Sequence, residues 1–554
     1  MAGKETKQMS VGQFLVLRLF QIGVLDVFGV PGDFNMEFLD LVEDFKGVEW
    51  IGCCNELNAS YAADGYARVR GMGCLVTTFG VGELSALNGH AGAYSEMVRV
   101  VHIVGSPSTD YRNGRALLHH TLGDGDFSRF QRMFNEISAS TALLTKRTAA
   151  EAIDRALMKC WNEARPVYLS LPTDVSREMI EVDMTPLELK QPQTDVQAQE
   201  EAAGKILEAL SKAAYPVLIA DACVLRYGCV DEVRAFVKTS GMPAVASPMG
   251  KGVLDETHPQ YQGVYLGSCT RYDSTRALME SADLIISLGA VKSDFNMGGF
   301  SYQLGRSTTI EMHSDQVRVF NAIYPQVGMK TLLPKLTSKV SKFNHCPNAP
   351  TIPKKLDTDY ISHDLLWPKI NSFIQPGDIV VCDMGTSCFG ILDVDFPPDT
   401  LCILQLLWGS IGYSVGSALG AAMAAKHHSQ RVLLFVGDGS FQVACQELST
   451  LGRHKANICV FILNNGGYTI ERVIHGKDRS YNSIQNWDYA GSARYFGFDA
   501  TSKRVTSPTE LDVELSNIKE SGHHFHVLEV VMDREDTPST LQAQAKLTAK
   551  ANYA

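Results

Sequence analysis

Short apolar runs separated by amphipathic stretches recur near both ends of the chain. The apolar runs of the first third are VFGV (27–30), CLVTTFG (74–80), RVVHIVG (99–105) and PVYLSL (166–171). Those of the last third are DIVVCDMG (378–385), RVLLFVGDG (431–439), ANICVFILNN (456–465) and HVLEVVM (526–532). Stretches with helical spacing lie between them, such as ELNASYAADGYARVR (56–70). This alternation predicts an α/β protein in which helices flank parallel sheets.

The first and last thirds are also similar to each other in the order of their motifs. One strand-like run ends in Gly80-Val-Gly82 and another in Gly437-Asp-Gly439. A helical segment and a further apolar run follow in both cases. This similarity predicts that the two regions share an architecture.

Two polar, proline-containing stretches divide the chain in the way that linkers do. They are TPLELKQPQTDVQAQ (185–199) and NHCPNAPTIPKKLD (344–357). The block between them has apolar runs of its own, at 216–221, 243–247, 283–290 and 308–314. We therefore predict three α/β domains, each with a parallel sheet flanked by helices, at residues 1–190, 191–350 and 351–554.

An uncharged run from Leu401 to Ala425 is long enough to cross a bilayer. It also contains polar side chains, and its glycines recur every three or four residues at Gly409, Gly412, Gly416 and Gly420. We interpret the run as a short buried strand, a glycine turn, and a helix whose small face lets another backbone approach closely. A single membrane span is the alternative interpretation.

The N-terminal segment predicts a helix start and not a signal peptide. Arg18 interrupts the apolar stretch VGQFLVLRLF, and no small-residue cleavage site follows it. Ser10 and Gln13 have the spacing of a capping box that begins a helix.

Charge and cysteine content indicate which kinds of binding partner and which cellular compartment to expect. The net charge is −11, from 50 basic and 61 acidic residues, and no dense basic block occurs. These features argue against a nucleic-acid or anionic-membrane surface and favour small metabolites as partners. The 13 cysteines are odd in number and lack repeated metal-ligand spacing, so we expect reduced core residues and a cytoplasmic protein.

Two polar motifs follow apolar strands of the last third. GDGS (437–440) precedes NNGG (464–467) by 23 intervening residues. The carboxyl ends of parallel strands meet at one edge of a sheet, so we expect Asp438 and the asparagine pair to lie together there. A carboxylate, an amide oxygen and a backbone carbonyl are hard ligands that suit octahedral Mg²⁺, with water and diphosphate at the other positions. Alone, each motif would indicate a turn or a loop; the pair predicts a metal–diphosphate site.

These motifs resemble those of the thiamine diphosphate enzymes, in which GDG is followed after about two dozen residues by NN. Further segments are similar to the pyruvate decarboxylase and the indolepyruvate or branched-chain 2-keto acid decarboxylase branch of that family. They are PGDFN (31–35), NELNASYAADG (55–65), TTFGVGELSA (77–86), LHHTLG (118–123), GTS (385–387), WGSIG (408–412) and YTIERVIHG (468–476). The resemblance covers essentially the whole chain. It implies a pyrimidine-binding domain, a central Rossmann-like domain and a diphosphate-binding domain, in that order.

The resemblance also implies the roles of individual residues. Glu56 alone would be a first-turn acid that complements the helix dipole; by resemblance it bonds the pyrimidine nitrogen of the cofactor and helps to activate it. The implied acid–base residues are Asp33, His119, His120 and Glu471, which favour a decarboxylase over a relative that mainly ligates. The implied metal ligands are Asp438, Asn465 and Gly467. The remaining implied cofactor contacts are Thr386, Gly409, Ile411, Gly439, Ser440 and Tyr468, of which Ile411 would hold the cofactor bent.

The chain departs from the family pattern beside the expected substrate pocket. Met384 stands where a threonine is usual, and Cys388 where an alanine is usual. With Phe295, Trp408, Ile470 and Ile474, they predict an apolar pocket whose substrate these changes put in question. Gly466 replaces the usual aspartate of NNDGYT, and little loss of magnesium is expected. Cys223 matches a region where yeast pyruvate decarboxylases carry a cysteine proposed for substrate activation. We interpret Cys223 as a buried thiol, with regulation as the alternative hypothesis.

The resulting expectation is a thiamine diphosphate- and Mg²⁺-dependent, non-oxidative 2-keto acid decarboxylase that releases CO2 and an aldehyde. Pyruvate is the leading substrate, with aromatic and branched-chain keto acids as alternatives. A carboligase of the same fold and a non-catalytic scaffold remain open. The family binds its cofactor between two chains, so we expect at least a homodimer and commonly a homotetramer.

Overall fold

The computed structural model describes residues 6–189, 193–343, 358–522 and 524–553. Three sheets flanked by helices account for these residues, which confirms the predicted α/β class. The predicted domain boundaries near residues 190 and 350 fall in the segments 190–192 and 344–357, outside the described residues. The boundaries therefore stay predictions.

The N-terminal sheet has six strands, all parallel. They are β2 (Asp26–Gly29), β3 (Glu49–Gly52), β4 (Gly73–Thr78), β5 (Val100–Ser106), β6 (Ser140–Leu143) and β7 (Val167–Pro172). Their order in the sheet is β3-β2-β4-β5-β7-β6. A separate antiparallel pair joins β1 (Thr6–Ser10) to β8 (Met179–Asp183).

The helices of this region cover both faces of the N-terminal sheet or connect its strands. They are α1 (Val11–Gln21), α2 (Met36–Glu43), α3 (Glu56–Arg70), α4 (Val81–Ser85), α5 (Leu87–Ser95), α6 (Thr109–Asn113), α7 (Arg129–Asn135), α8 (Ala149–Glu163) and α9 (Thr173–Arg177). Ser10 and Gln13 form the predicted capping box at the start of α1.

The central sheet has seven strands and is mixed. They are β9 (Pro216–Ala220), β10 (Ala244–Ala246), β11 (Tyr261–Val264), β12 (Leu284–Leu288), β13 (Thr309–Met312), β14 (Gln316–Val319) and β15 (Ala322–Pro325), in the order β11-β10-β9-β12-β13-β14-β15. The last two strands run antiparallel to their neighbours and extend the predicted parallel sheet. Its helices are α10 (Val196–Lys212), α11 (Ala222–Arg226), α12 (Val230–Ser240), α13 (Asp273–Glu280) and α14 (Met329–Thr337).

The C-terminal sheet is again six-stranded and parallel. Its strands are β16 (Ile379–Cys382), β17 (Leu401–Leu404), β18 (Val432–Gly437), β19 (Ile458–Asn464), β20 (Thr501–Val505) and β21 (His526–Val531). Its helices are α15 (His363–Phe373), α16 (Thr386–Gly390), α17 (Tyr413–Lys426), α18 (Asp438–Ala444), α19 (Glu447–Arg453), α20 (Thr469–His475), α21 (Ser492–Phe496), α22 (Pro508–Glu520) and α23 (Ser539–Tyr553).

The N-terminal and C-terminal sheets have the same strand order. The C-terminal order is β17-β16-β18-β19-β21-β20. If the strands of each sheet are numbered along the chain, both sheets have the order second, first, third, fourth, sixth, fifth. The predicted shared architecture is therefore confirmed. In sheets of this kind, the chain leaves the first and third strands in opposite directions, and a crevice opens at their carboxyl ends.

Helices α3 and α17 hold these two parts of the chain together. A Cβ atom added to Gly420 would lie 1.8 Å from the carbonyl oxygen of Ala62, and one added to Gly65 would lie 2.1 Å from that of Ser417. Only glycine allows backbones to approach this closely. The uncharged run thus contains the predicted strand (β17) and small-faced helix (α17), and no helix in the described ranges is long and apolar enough to span a membrane.

The cysteines of the described residues are all free thiols, and most are buried. Cys223 is fully buried and its Sγ lies 3.5 Å from Sδ of Met97. Burial raises the pKa of its thiol to about 12, so the group is neutral. This environment is that of a core residue.

Candidate functional site

The two parallel sheets place the predicted site residues at the carboxyl ends of corresponding strands. Asp33 follows β2 and Gly80 follows β4, on either side of the N-terminal crevice. Thr386 follows β16 and Asp438 follows β18, on either side of the C-terminal crevice. Strand order therefore explains why motifs distant in sequence meet.

An acid–base cluster lies at the N-terminal crevice. His119 Nε2 lies 2.7 Å from Asp33 Oδ2, and His120 Nε2 lies 4.0 Å from Asp33 Oδ1. The Phe34 ring stacks on His119, with ring centroids 5.2 Å apart and planes 13° apart, and meets His120 edge-on. Asp33 and His119 are exposed in the single chain, and His120 is half-buried. The structure thus brings Asp33 next to the adjacent residues His119 and His120, which lie more than 80 residues later in the sequence.

The backbone of His120 is held by a glycine turn. His120 has a φ of 63°, in the left-handed region that few non-glycine residues adopt. A Cβ on Gly80 would lie 2.1 Å from the His120 carbonyl oxygen, so the close contact between these segments requires glycine. The turn that ends β4 therefore fixes where the histidine pair lies.

Glu56 begins α3 and lies beside the same turn. Asn55 caps the helix by accepting a hydrogen bond from the amide of Asn58. A Cβ on Gly82 would lie 3.0 Å from Glu56 Oε1, which shows how closely the turn approaches this carboxyl group. Burial raises the pKa of the half-buried Glu56 and so favours its protonated form.

Glu83 is a buried carboxyl of this region that the sequence analysis did not select. Its Oε1 accepts from the Gly80 amide at 2.8 Å, and its Oε2 accepts from the Tyr168 hydroxyl at 2.9 Å. Burial raises its pKa to about 7, although both hydrogen bonds act to lower the pKa. Glu83 lies three residues after Gly80, which is the spacing of an acid that caps the start of a helix. This spacing was the available signal in the sequence.

Three oxygen donors converge at the C-terminal crevice. Asp438 begins α18, is buried, and accepts from the amides of Gly439 (2.8 Å) and Gly467 (3.0 Å). One terminal atom of the Asn465 side-chain amide points toward Asp438 and Gly467. It lies 3.3 Å from Asp438 Oδ1 and 3.0 Å from the Gly467 carbonyl oxygen. If that atom is the amide oxygen, three oxygens face one another, which is repulsive unless a cation lies between them.

These distances fit Mg²⁺. Neighbouring oxygens of an octahedral Mg²⁺ with bonds of about 2.1 Å lie about 3 Å apart. The Asn465 amide atom lies at about that spacing from an oxygen of Asp438 and from the Gly467 carbonyl oxygen. Burial raises the pKa of Asp438 to about 6, and a cation would stabilise its ionised form. The donor set therefore suits the ion that the sequence predicts.

Arg472 supports the loop that carries these ligands, and the sequence analysis missed it. Its Nη2 donates to the carbonyl oxygens of Gly466 (2.7 Å) and Asn482 (3.0 Å). The side chain is 5% exposed although it is charged. A basic residue directly after Glu471 was the available signal.

The other predicted cofactor residues lie around the same crevice. Thr386 begins α16, Gly409 has a φ of 64°, and Ile411 is half-buried in the loop before α17. The Tyr468 ring covers Gly439, where a Cβ would lie 2.7 Å from Tyr468 Cε1. Burial raises the pKa of Asp383, which follows β16, and Ser440 is among its hydrogen-bond partners. Their roles toward a cofactor stay predictions.

The predicted pocket residues fall into a packed group and an exposed one. Phe295, Met384 and Ile470 pack against the C-terminal core, of which Cys388 is a fully buried member. The methyl carbon of Met384 reaches to 3.7 Å from a Cβ position on Gly409. Trp408 is 41% exposed, and its Nε1 donates to Asn88 Oδ1 at 2.9 Å. Ile474 lies one turn after Ile470 on α20 and is half-buried.

The N-terminal and C-terminal sets are not joined within one chain. Among the described residues, no hydrogen bond or ion pair links Asp33, His119 or His120 to Asp438 or Asn465. Glu471, the fourth predicted acid–base residue, is exposed in the first turn of α20 and lies with the metal ligands.

Comparison with known protein families matches three segments of the chain. Residues 9–130 match the N-terminal TPP binding domain of thiamine pyrophosphate enzymes, residues 203–334 match their central domain, and residues 383–530 match their C-terminal TPP binding domain. Both crevices described above lie within the matches to TPP binding domains. The cofactor of this chain is therefore thiamine diphosphate, with Mg²⁺ as in this family.

Curated relatives are similar over almost the whole chain. The pyruvate decarboxylase of Aspergillus terreus is 45% identical, and that of Aspergillus fumigatus is 44% identical. Each of these matches covers 99% of this chain and 98% of the relative. Pyruvate decarboxylase isozyme 2 of Saccharomyces cerevisiae is 42% identical, over 98% of this chain and 99% of its own. The chain therefore belongs to the family of thiamine pyrophosphate enzymes and, within it, is similar to these pyruvate decarboxylases.

Proposed function

We propose that the protein is a non-oxidative decarboxylase that converts pyruvate to CO2 and acetaldehyde. The observation that carries this proposal is the cluster of Asp33, His119 and His120, which lies at the same sheet edge as Glu56. A decarboxylase must deliver a proton after CO2 has left, and this cluster offers groups that can do so. When bound, thiamine diphosphate supplies the electron sink that the loss of CO2 requires.

Each residue has a distinct part in the proposed reaction. Glu56 would form a hydrogen bond with a ring nitrogen of the cofactor, and the upward shift of its pKa by burial supports a donor role there. Asp33 orients the His119 ring through the 2.7 Å contact, so that the ring can hold or release a proton at Nε2. Asp438, Asn465 and the Gly467 carbonyl hold Mg²⁺, which binds the diphosphate.

The working unit in this proposal is at least a homodimer, and commonly a homotetramer. The separation of the two residue sets within one chain supports it, because both sets are needed around one cofactor. Exposure of Asp33, His119 and Glu471 in the single chain also supports it, since a second chain would cover them and exclude water.

Pyruvate is the proposed substrate because the relatives at 42–45% identity are pyruvate decarboxylases. The apolar side chains of Met384, Ile470 and Ile474 suit a small keto acid with an apolar group. Larger branched-chain or aromatic keto acids are the substrates against which this preference is to be measured. The free thiols support the cytoplasm as the compartment.

The test is to reconstitute the protein with thiamine diphosphate and Mg²⁺ and to quantify CO2 and organic products from pyruvate, branched-chain and aromatic keto acids. We expect one aldehyde per CO2, with the highest kcat/KM for pyruvate. A faster aromatic substrate would overturn the pyruvate assignment. CO2 accompanied mainly by coupled products would show a carboligase instead.

A variant pair separates catalysis from scaffolding. Glu56→Gln should lower turnover by roughly a hundredfold or more, because the carboxyl proton is lost. Glu43→Gln, at an exposed end of α2, is the matched control and should retain full turnover. Equal turnover of both variants would contradict the proposed role of Glu56.

A further inference from the structure

Three metal-ligating side chains converge at the N-terminal crevice, apart from the oxygen donors of the Mg²⁺ site. The ligand atoms of Asp33, His119 and His120 all lie within 4.8 Å of one another. Two imidazole nitrogens and one carboxylate are the ligands of many zinc sites, in which an open fourth position takes water. We propose that this cluster binds Zn²⁺ or a similar divalent transition ion, and that the bound ion inhibits the enzyme.

Small side-chain movements would complete the site. Ligand atoms of a tetrahedral zinc with bonds of about 2.1 Å lie about 3.4 Å apart. The His119–Asp33 distance of 2.7 Å would open slightly, and the His120–Asp33 distance of 4.0 Å would close slightly. Phe34 restrains both rings by stacking and edge contact, and Gly80 restrains the His120 backbone. The donors are therefore held near the geometry that the ion requires.

The ligand types separate this site from that of Mg²⁺. Mg²⁺ prefers six oxygen ligands, as at Asp438, Asn465 and Gly467, whereas imidazole favours zinc, cobalt and copper. Saturation of the enzyme with Mg²⁺ therefore leaves the cluster open to Zn²⁺. The net charge of −11 favours the approach of any cation.

Binding displaces the proton from His119 Nε2. In the free enzyme, His119 Nε2 faces Asp33 and shares a hydrogen with it. Coordination uses the Nε2 lone pair, so the proton moves to Nδ1 of a neutral ring or leaves a charged ring for solvent. Both histidines then lose the nitrogen that moves protons in the proposed reaction. Binding itself does not depend on the proposed function, but the inhibition does.

Cobalt binding to the holoenzyme tests the proposal without relying on activity. Co²⁺ is added to enzyme saturated with thiamine diphosphate and Mg²⁺, and the visible absorption of tetrahedral cobalt is titrated. We expect one ion per chain, displaced by Zn²⁺. Both His119→Ala and His120→Ala should weaken binding at least tenfold, whereas His428→Ala, at an exposed histidine, should not. Unchanged binding in both cluster variants would overturn the proposal.

Two further measurements identify where in the protein the ion is bound. Cys54 is an exposed thiol, and cobalt bound there would give a thiolate charge-transfer band in the near ultraviolet that Cys54→Ser removes. Anomalous scattering from zinc in crystals of the unmodified enzyme locates the ion even if a variant misfolds. Zinc found only at Asp438 or at Cys54 would exclude the cluster.

Activity measurements distinguish inhibition by an ion at the cluster from inhibition by displacement of Mg²⁺. Zn²⁺ should lower kcat in a way that excess Mg²⁺ does not relieve and that a chelator reverses. Relief by Mg²⁺ would place the inhibition at the oxygen site and overturn this part of the proposal. If cobalt binds as expected but the protein decarboxylates no keto acid, the binding site stands and the proposed function fails.

Discussion

Glu83 shows how one buried side chain can make stability depend on pH. It is fully buried behind the turn that holds His120, and its pKa is raised to about 7 by burial. An unfolded glutamate ionises near pH 4.5. Between these values the folded protein keeps a proton that the unfolded chain releases.

The first prediction concerns Glu83→Gln. Retention of this proton contributes roughly 3 kcal/mol to the free energy of unfolding. The contribution is complete below about pH 4.5 and is lost as the pH rises through about 7. The glutamine variant cannot ionise, so its melting temperature relative to the unmodified protein should rise between pH 5 and pH 8. Differential scanning fluorimetry measures this. Glu43→Gln is the exposed control, and a difference that stays constant with pH would contradict the prediction.

The second prediction concerns Arg472, whose guanidinium donates to the carbonyl oxygen of Gly466 in the metal loop and to that of Asn482 in the segment after α20. Arg472→Gln removes charged hydrogen bonds of about 1.5–3 kcal/mol and frees the loop. The dissociation constant for Mg²⁺, measured by calorimetry with thiamine diphosphate, should rise at least tenfold. Arg479→Gln, at an exposed position after α20, should leave it unchanged. Equal Mg²⁺ affinity in both variants would show that the loop needs no such support.

The sequence predicted the residues of both crevices better than it predicted their supports. Motif spacing identified Asp438 and Asn465, because each follows an apolar strand at a recognisable turn. Glu83 and Arg472 bind backbone groups, and the signals at their positions, an acid three residues after Gly80 and a basic residue directly after Glu471, do not say which backbone groups they contact. Their positions depend on tertiary packing.

At the scale of elements, α3 and α17 cross with their backbones in close contact. Glycines at 65 and 420 face backbone oxygens of the opposite helix, with no room for a Cβ atom. The glycine spacing in the uncharged run predicted a close backbone approach, although the partner helix could not be read from it. The strands β14 and β15 were missed, because they are short and partly exposed and so lack a continuous apolar run.

The third prediction is that Gly420→Ala destabilises the protein. Its Cβ would meet the Ala62 carbonyl oxygen at 1.8 Å, so the helices must separate, at a cost of about 1–3 kcal/mol or more. Gly204→Ala in α10 is the matched control, because nothing lies within 4 Å of its added Cβ. That change should be neutral or stabilising by about 0.5–1 kcal/mol. Chemical denaturation of both variants measures the contrast, and equal effects would refute it.

At the scale of the whole molecule, Glu96 joins all three sheet regions. Its Oε1 accepts from the amides of Leu407 (2.7 Å) and Trp408 (3.2 Å), next to the loop of Gly409. Its Oε2 lies 3.6 Å from Arg68 of α3 and 3.8 Å from Arg226 of the central region. A fully buried carboxylate thus neutralises two arginines where the three regions meet.

The fourth prediction follows from this junction. Glu96→Gln keeps an acceptor for the two amides but removes a buried charge. Arg68 keeps its 2.6 Å ion pair with Asp64, whereas Arg226 loses the carboxylate at 3.8 Å, so we expect a cost of about 3 kcal/mol. The melting temperature should fall by several degrees and the unfolding transition should broaden as the central region separates. Glu280→Gln, exposed at the end of α13, is the control. A single sharp transition at the original temperature would show that the junction carries little stability.

The close crossing of α3 and α17 also limits how the enzyme can move. Helices that touch backbone to backbone cannot slide or roll past each other without a clash, because no side-chain layer lies between them to rearrange. The N-terminal and C-terminal sheets of one chain must therefore move as one rigid body. Any opening that admits substrate or releases product must therefore take place outside this core, and the hinge of the catalytic cycle lies there too.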